Sequence, residues 1–143
     1  MDIVFLDFDG TINTFSAGDN FSQAACANLN LLLKQVPEAK IVVSSSWRMW
    51  GLPKMKEILA KNGIDKEKVV DITGDERGIR GYQIQCWLDR NSKVNHIVIL
   101  DDESDMGDLM KYLVKTNSFI GLTEADVKQA VEVLKTPMKG KND

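Results

Sequence analysis

Residues 3–11 read Ile-Val-Phe-Leu-Asp-Phe-Asp-Gly-Thr, and this stretch constrains the fold more than any other. An apolar run, Ile3 to Leu6, ends at two carboxylates, Asp7 and Asp9, spaced to share one side of an extended backbone. Gly10 breaks the strand and Thr11 follows. Such a run is the pattern of a strand covered on both faces. In open α/β sheets, ligands sit beyond the carboxyl ends of the strands. The chain therefore delivers two acids to the place where such a sheet binds.

Two more apolar runs end in polar groups. His96-Ile97-Val98-Ile99-Leu100 leads into Asp101-Asp102. Adjacent buried acids repel, and a divalent cation relieves that repulsion. Oxygen-only donors with no Cys or His nearby suit Mg²⁺ better than Zn²⁺. Ile41-Val42-Val43 leads into Ser44-Ser45-Ser46-Trp47-Arg48. Strand-end hydroxyls can hold a phosphate oxygen, and Arg48 can add a bidentate clamp. One of the serines is also expected to cap the next helix. A loop, Asp75 to Gly81, carries Arg77 and Arg80 before a helical pattern. Either cation can neutralise a phosphoryl group and a carboxylate.

The remaining pattern alternates strands and helices. Helices are expected over Phe21–Val36, Pro53–Asn62, Gly81–Arg90 and from Met106 to Val114. Pro37 ends the first and Gly63 caps the second. Thr123 and Asp126 start a last helix as N-cap and third helical residue. Further strands are expected at Lys40–Ser44 and Val69–Ile72, with Phe119-Ile120 as an edge strand. Residues 12–20 read as a loop or short flap. The fold class that results is α/β: a three-layer, Rossmann-like parallel sheet with helices on both faces. One domain spans residues 1–135, and 136–143 reads as a flexible tail. Neither interval beside the strand-end motifs has room for a cap domain.

Composition narrows the function classes. The chain has 143 residues, 43% of them hydrophobic and 27% charged, as one globular domain requires. Its formal net charge of −3 makes it no general polyanion binder, so any nucleic-acid contact must be local. No apolar run approaches the roughly 20 residues that cross a bilayer. With no charged-then-apolar leader at Met1 and two isolated cysteines, Cys26 and Cys86, a cytoplasmic location is expected. The single histidine, His96, opens a strand at the end away from Asp101, which excludes chemistry built on a His cluster. No Gly-x-x-x-x-Gly-Lys-Ser/Thr loop is present.

The order Asp-x-Asp-Gly-Thr, strand-end Ser, basic residue, Asp-Asp resembles the haloacid dehalogenase (HAD) superfamily of phosphatases. Ser45-Ser46-Trp47-Arg48, Arg80-Gly81-x-x-Ile84-x-x-Trp87-Leu88, Ile99-Leu100-Asp101-Asp102 and Gly121-Leu122-Thr123 narrow it to the small, uncapped HAD domains associated with RNA-repair proteins. Gln83 stands where such domains often carry Glu. The resemblance implies an Mg²⁺-dependent phosphohydrolase with Asp7 as nucleophile, Asp9 as acid and base, and Ser45 and Arg80 on the phosphate. It places the metal on Asp7, Asp9 (through its carbonyl), Asp101 and Asp102, and Thr11, Ser44, Ser46, Trp47 and Arg48 around the substrate. Ser44 replaces Ser45 if the strand register differs by one residue. The uncapped site favours a large substrate such as a nucleic-acid end, on which Trp47 and Trp50 could stack a base. Arg48 could then reach a flanking phosphodiester. A small metabolite or nucleotide is the alternative substrate, and a monomer or weak dimer the expected state. A phospho-acceptor module like the response-regulator receivers uses similar groups, but places its acid pair and acceptor on separate strands.

Overall fold

The computed structural model describes residues 1–138. β1 (Asp2–Leu6) is followed by a small antiparallel hairpin, β2 (Asn13–Thr14) and β3 (Asn20–Phe21), joined through a 3-10 turn at Phe15–Ala17. Then come α1 (Gln23–Gln35), β4 (Lys40–Val43), a 3-10 helix at Ser46–Trp50, α2 (Leu52–Lys61), β5 (Val69–Ile72) and α3 (Arg80–Arg90). The chain continues with β6 (His96–Asp101), a 3-10 helix at Gly107–Tyr112, β7 (Leu113–Lys115) and α4 (Glu124–Lys135). The five long-range strands form one parallel sheet in the order β5-β4-β1-β6-β7.

Strict alternation along β1 builds the three layers. Val4 and Leu6 join the apolar cluster formed with α1, α2 and α4. Ile3 and Phe5 face the other way, onto Ile84, Trp87 and Leu88 of α3 and Leu109 and Tyr112 of the second long 3-10 helix. Burial of this kind contributes roughly 1.5–3 kcal/mol per large apolar side chain. Two of the helices start on side-chain caps, the second of them expected from the sequence. Ser22 accepts the Ala25 amide at the head of α1, and Thr123 and Asp126 form a reciprocal capping box on α4.

The structure differs from the sequence expectation in two regions. Residues 12–20, expected as a loop or flap, carry the β2–β3 hairpin, with Phe21 in β3 and not in α1. The second difference is larger. Met106–Val114 is not an α-helix: a 3-10 helix passes directly into β7, which pairs with β6 through Leu113, Val114 and Lys115. The edge strand is therefore β7. Phe119 and Ile120, expected as that strand, lie exposed in a turn closed by Asn117, whose Oδ1 accepts the Phe119 amide. Short apolar runs fit either period, and the sheet edge recruited the one that could reach β6. Beyond α4, the Met138 amide donates to the Asn95 carbonyl, and residues 139–143 of the expected tail lie outside the described residues.

Among the described residues no cap covers the sheet. Between β1 and α1 the chain makes only the β2–β3 hairpin, and between β5 and α3 only residues 73–79. Among the described residues no helix is long and apolar enough to cross a membrane.

Candidate active site

Register brings the site together. Leu6 pairs with Val43 on one side and Leu100 on the other. The next residue of each strand is Asp7, Ser44 and Asp101, so these three stand in one row at the carboxyl edge of the sheet. The Asp7 amide donates to the Leu100 carbonyl and the Ser44 amide to the Leu6 carbonyl, each at 3.0 Å. β1 is also where the strand order reverses, with later strands added first on one side and then on the other. That switch point is where open α/β sheets form their crevice.

Three carboxylates crowd there. One oxygen each from Asp7, Asp101 and Asp102 lies within 4.8 Å of the others. Asp7 is 5% exposed and Asp101 fully buried. Gly10 makes the third approach possible: its φ is +82°, and a Cβ there would lie 2.1 Å from Oδ2 of Asp102. One cation faces the cluster. Arg80 Nη1 lies 2.7 Å from Asp101 and 3.4 Å from Asp7. It sits at the first position of α3, which Gly81 allows to press against the loop after β6; a Cβ at Gly81 would meet the Met106 carbonyl oxygen at 2.1 Å. Arg77, the other candidate, is exposed in the preceding loop.

One guanidinium does not offset three acids. Burial pushes the Asp7 carboxyl up to about 8, with the charges of Asp101 and Asp102 adding to it and Arg80 opposing. Burial likewise lifts Asp101 to about 6, against Arg80 and the Glu103 amide. Hard oxygen donors that repel one another at this spacing fit a divalent cation of the Mg²⁺ type. Asp7, Asp101 and Asp102 are the side chains that would hold it; the carboxylate of Asp9 is not among them.

Asp9 instead points into the open. Its two oxygens accept from Asn13 Nδ2 at 2.8 Å and from Trp47 Nε1 at 3.0 Å. Trp47 is wedged edge-on between Phe8 and Phe21, with all three ring pairs 5.6 Å apart. The expected base-stacking role for Trp47 does not fit this placement: its ring is packed and its N–H committed. Ser45 caps the 3-10 helix by accepting the Trp47 amide at 3.2 Å. Its hydroxyl proton is still available. Ser44 Oγ is buried with no partner, and Ser46 is exposed.

Two other expected substrate contacts are turned inward. Arg48 is 7% exposed; its Nε donates to the Gly74 carbonyl at 3.0 Å, and Nη1 to those of Ser44 and Ser45 at 3.3 and 3.2 Å. It ties the β4 and β5 loop ends together and does not reach out to a phosphodiester. Thr11 is fully buried, its hydroxyl 3.1 Å from that of Thr116. Thr116 in turn donates to the Gly10 carbonyl at 2.8 Å. Thr116 and Asn13 carry no motif signal, and sequence reading missed both. The expectation for His96 holds: it pairs with Asp2 at the opposite end of the sheet.

The fold and site together define a class: an uncapped α/β domain with a metal-competent acid cluster and one arginine at its switch point. The sequence profile of the HAD domain in Swiss Army Knife RNA repair proteins matches residues 3–127, and the chain belongs to that family. Membership implies a phosphohydrolase-type function and use of a divalent metal. No curated protein and no solved structure matches the chain.

Proposed function

We propose that the protein is an Mg²⁺-dependent phosphomonoesterase acting through an aspartyl-phosphate, on terminal phosphates of nucleic-acid ends. The observation that carries the chemistry is the pairing of a buried carboxylate cluster, clamped by Arg80, with a separate exposed carboxylate two residues from Asp7. An Asp7 oxygen attacks phosphorus and the bond to the leaving oxygen breaks. Asp9, carrying a proton, gives it to that oxygen, and as carboxylate then takes a proton from the water that cleaves the acyl phosphate. Asn13 and Trp47 each occupy one site on a different Asp9 oxygen, which leaves a second site on each for this proton. Arg80 faces the equatorial oxygens, where charge is greatest. Ser45 donates its hydroxyl proton to one of them while keeping the Trp47 amide as its own donor. The Mg²⁺ ion would supply the positive charge that lets an anionic nucleophile meet an anionic phosphate.

The substrate class rests on the open crevice and on the family's description as a domain of RNA repair proteins. Without a cap, a terminal phosphate on a long chain can enter as freely as a small ester. The test is phosphate release with Mg²⁺ from 3′- and 5′-phosphorylated oligonucleotides, nucleotides and sugar phosphates. Oligonucleotides should lead, and EDTA should abolish release. A preference of orders of magnitude for a sugar phosphate would defeat the nucleic-acid assignment, and full activity in EDTA the metal assignment.

A further inference from the structure

We infer that the groove between the first long 3-10 helix and α2 is the subsite for the unpaired nucleobase next to the reacting phosphate, with Trp50 as its stacking platform and Lys54 as its phosphodiester contact. This rests on the phosphatase reading above and assigns residues that reading leaves unused. The groove has a volume of about 550 Å³ and is lined by Ser46, Trp47, Trp50, Lys54 and Ile58. Trp47, one of its walls, also donates to Asp9, so one side chain separates the groove from the proposed acid–base residue.

Two tryptophans stand near the site, and the structure divides their work. Trp47 packs against two phenylalanine rings and commits its N–H to Asp9. Trp50 is 75% exposed at the end of the 3-10 helix, beside a Met49 that is 70% exposed. An exposed indole beside a catalytic crevice leaves apolar surface in water with no internal purpose. Gly51, with φ at +93°, follows it and turns the chain into α2. That turn sets Lys54 at the same groove, one helical turn along. Among the described residues Lys54 pairs with Glu57, an exposed contact at 3.2 Å that a phosphate can displace at little cost. An aromatic face with a cation beyond it matches a base followed by its phosphodiester. The inferred order is reacting phosphate at Asp7, base on Trp50 and next phosphate at Lys54. A duplex end would keep its terminal base stacked on its neighbour, so the groove fits a single-stranded end.

Binding is measured apart from turnover. The probe is a fluorescently labelled single-stranded pentanucleotide with a terminal phosphate, beside the same strand with an abasic terminal residue. The protein is the full chain with Mg²⁺, carrying Asp7→Asn so that nothing is hydrolysed. The intact strand should bind about 5- to 150-fold more tightly than the abasic one. Adding Trp50→Ala should bring that ratio close to one, and Trp50→Phe should keep most of it. Lys54→Ala should flatten the salt dependence by about one phosphate contact, a slope change near 0.7. Equal affinity of the intact and abasic strands overturns the subsite. So does a ratio that survives Trp50→Ala, or concentration-dependent dimers that Trp50→Ala abolishes, which would give the groove to a second copy. Base-dependent binding in a protein that releases no phosphate would defeat the phosphatase reading and leave the subsite standing.

Discussion

Replacing the proposed nucleophile should make the metal-stripped protein more stable, not less. Asp7 is held among Asp101, Asp102 and Arg80, and its carboxyl is pushed from 3.8 up to about 8. A carboxyl whose folded pKa is raised stabilises the folded state in its protonated form. That contribution is fully present below pH 3.8 and is lost as pH rises towards about 8. Each pKa unit is worth about 1.4 kcal/mol, so ionising Asp7 costs the folded protein on the order of 5 kcal/mol. Asn keeps the shape and removes the charge, but leaves Arg80 one partner poorer. The net gain of Asp7→Asn at pH 8 in EDTA is then on the order of 3 kcal/mol, or roughly 10 °C in Tm for a chain of this size. At pH 5 the wild-type carboxyl is already protonated and the gain should nearly vanish. Mg²⁺ should reverse the ranking at pH 8, because it binds the wild-type cluster more tightly and stabilises by mass action. Thermal melts at both pH values, with EDTA and with Mg²⁺, measure all of this. A variant less stable than wild type in EDTA at pH 8, or a gain of equal size at pH 5, would refute the reasoning.

Trp47→Phe keeps the ring contacts with Phe8 and Phe21 and removes the one hydrogen bond to Asp9. It should lower kcat about tenfold with KM little changed; an unaltered kcat would assign Trp47 to packing alone. Arg48→Ala removes the side-chain donor to the half-buried Gly74 carbonyl and to the Ser44 carbonyl, while the Ser45 carbonyl keeps the amide of residue 48. It should cost about 2–4 kcal/mol in urea denaturation, and selective loss of oligonucleotide turnover without loss of stability would return Arg48 to the substrate.

The sequence alone determined the elements and their edges. Apolar runs of three or four residues ending in Asp or Ser name β1, β4 and β6, because a strand buried on both faces must be apolar until it leaves the sheet. Gly10 and the Thr123–Asp126 box are equally local, a backbone conformation and a reciprocal hydrogen bond that neighbours in the chain can specify. The nearness of Asp7, Asp101 and a strand-end serine followed once the strands were taken as parallel, with Ser45 expected at the site and Ser44 as its alternative. What tertiary structure decided is direction. Trp47 and Arg48 follow β4 immediately, yet a 3-10 helix turns one N–H towards Asp9 and the whole guanidinium inward to the Gly74 carbonyl. Trp50, three residues on from Trp47, is left facing water. Thr116 reaches Gly10 across more than a hundred residues, and Leu113–Lys115 became a strand because β6 offered an unpaired edge. Such choices depend on partners far away in the chain. A side chain's identity states which bonds it can make, and only the packed neighbours fix which of them it does make.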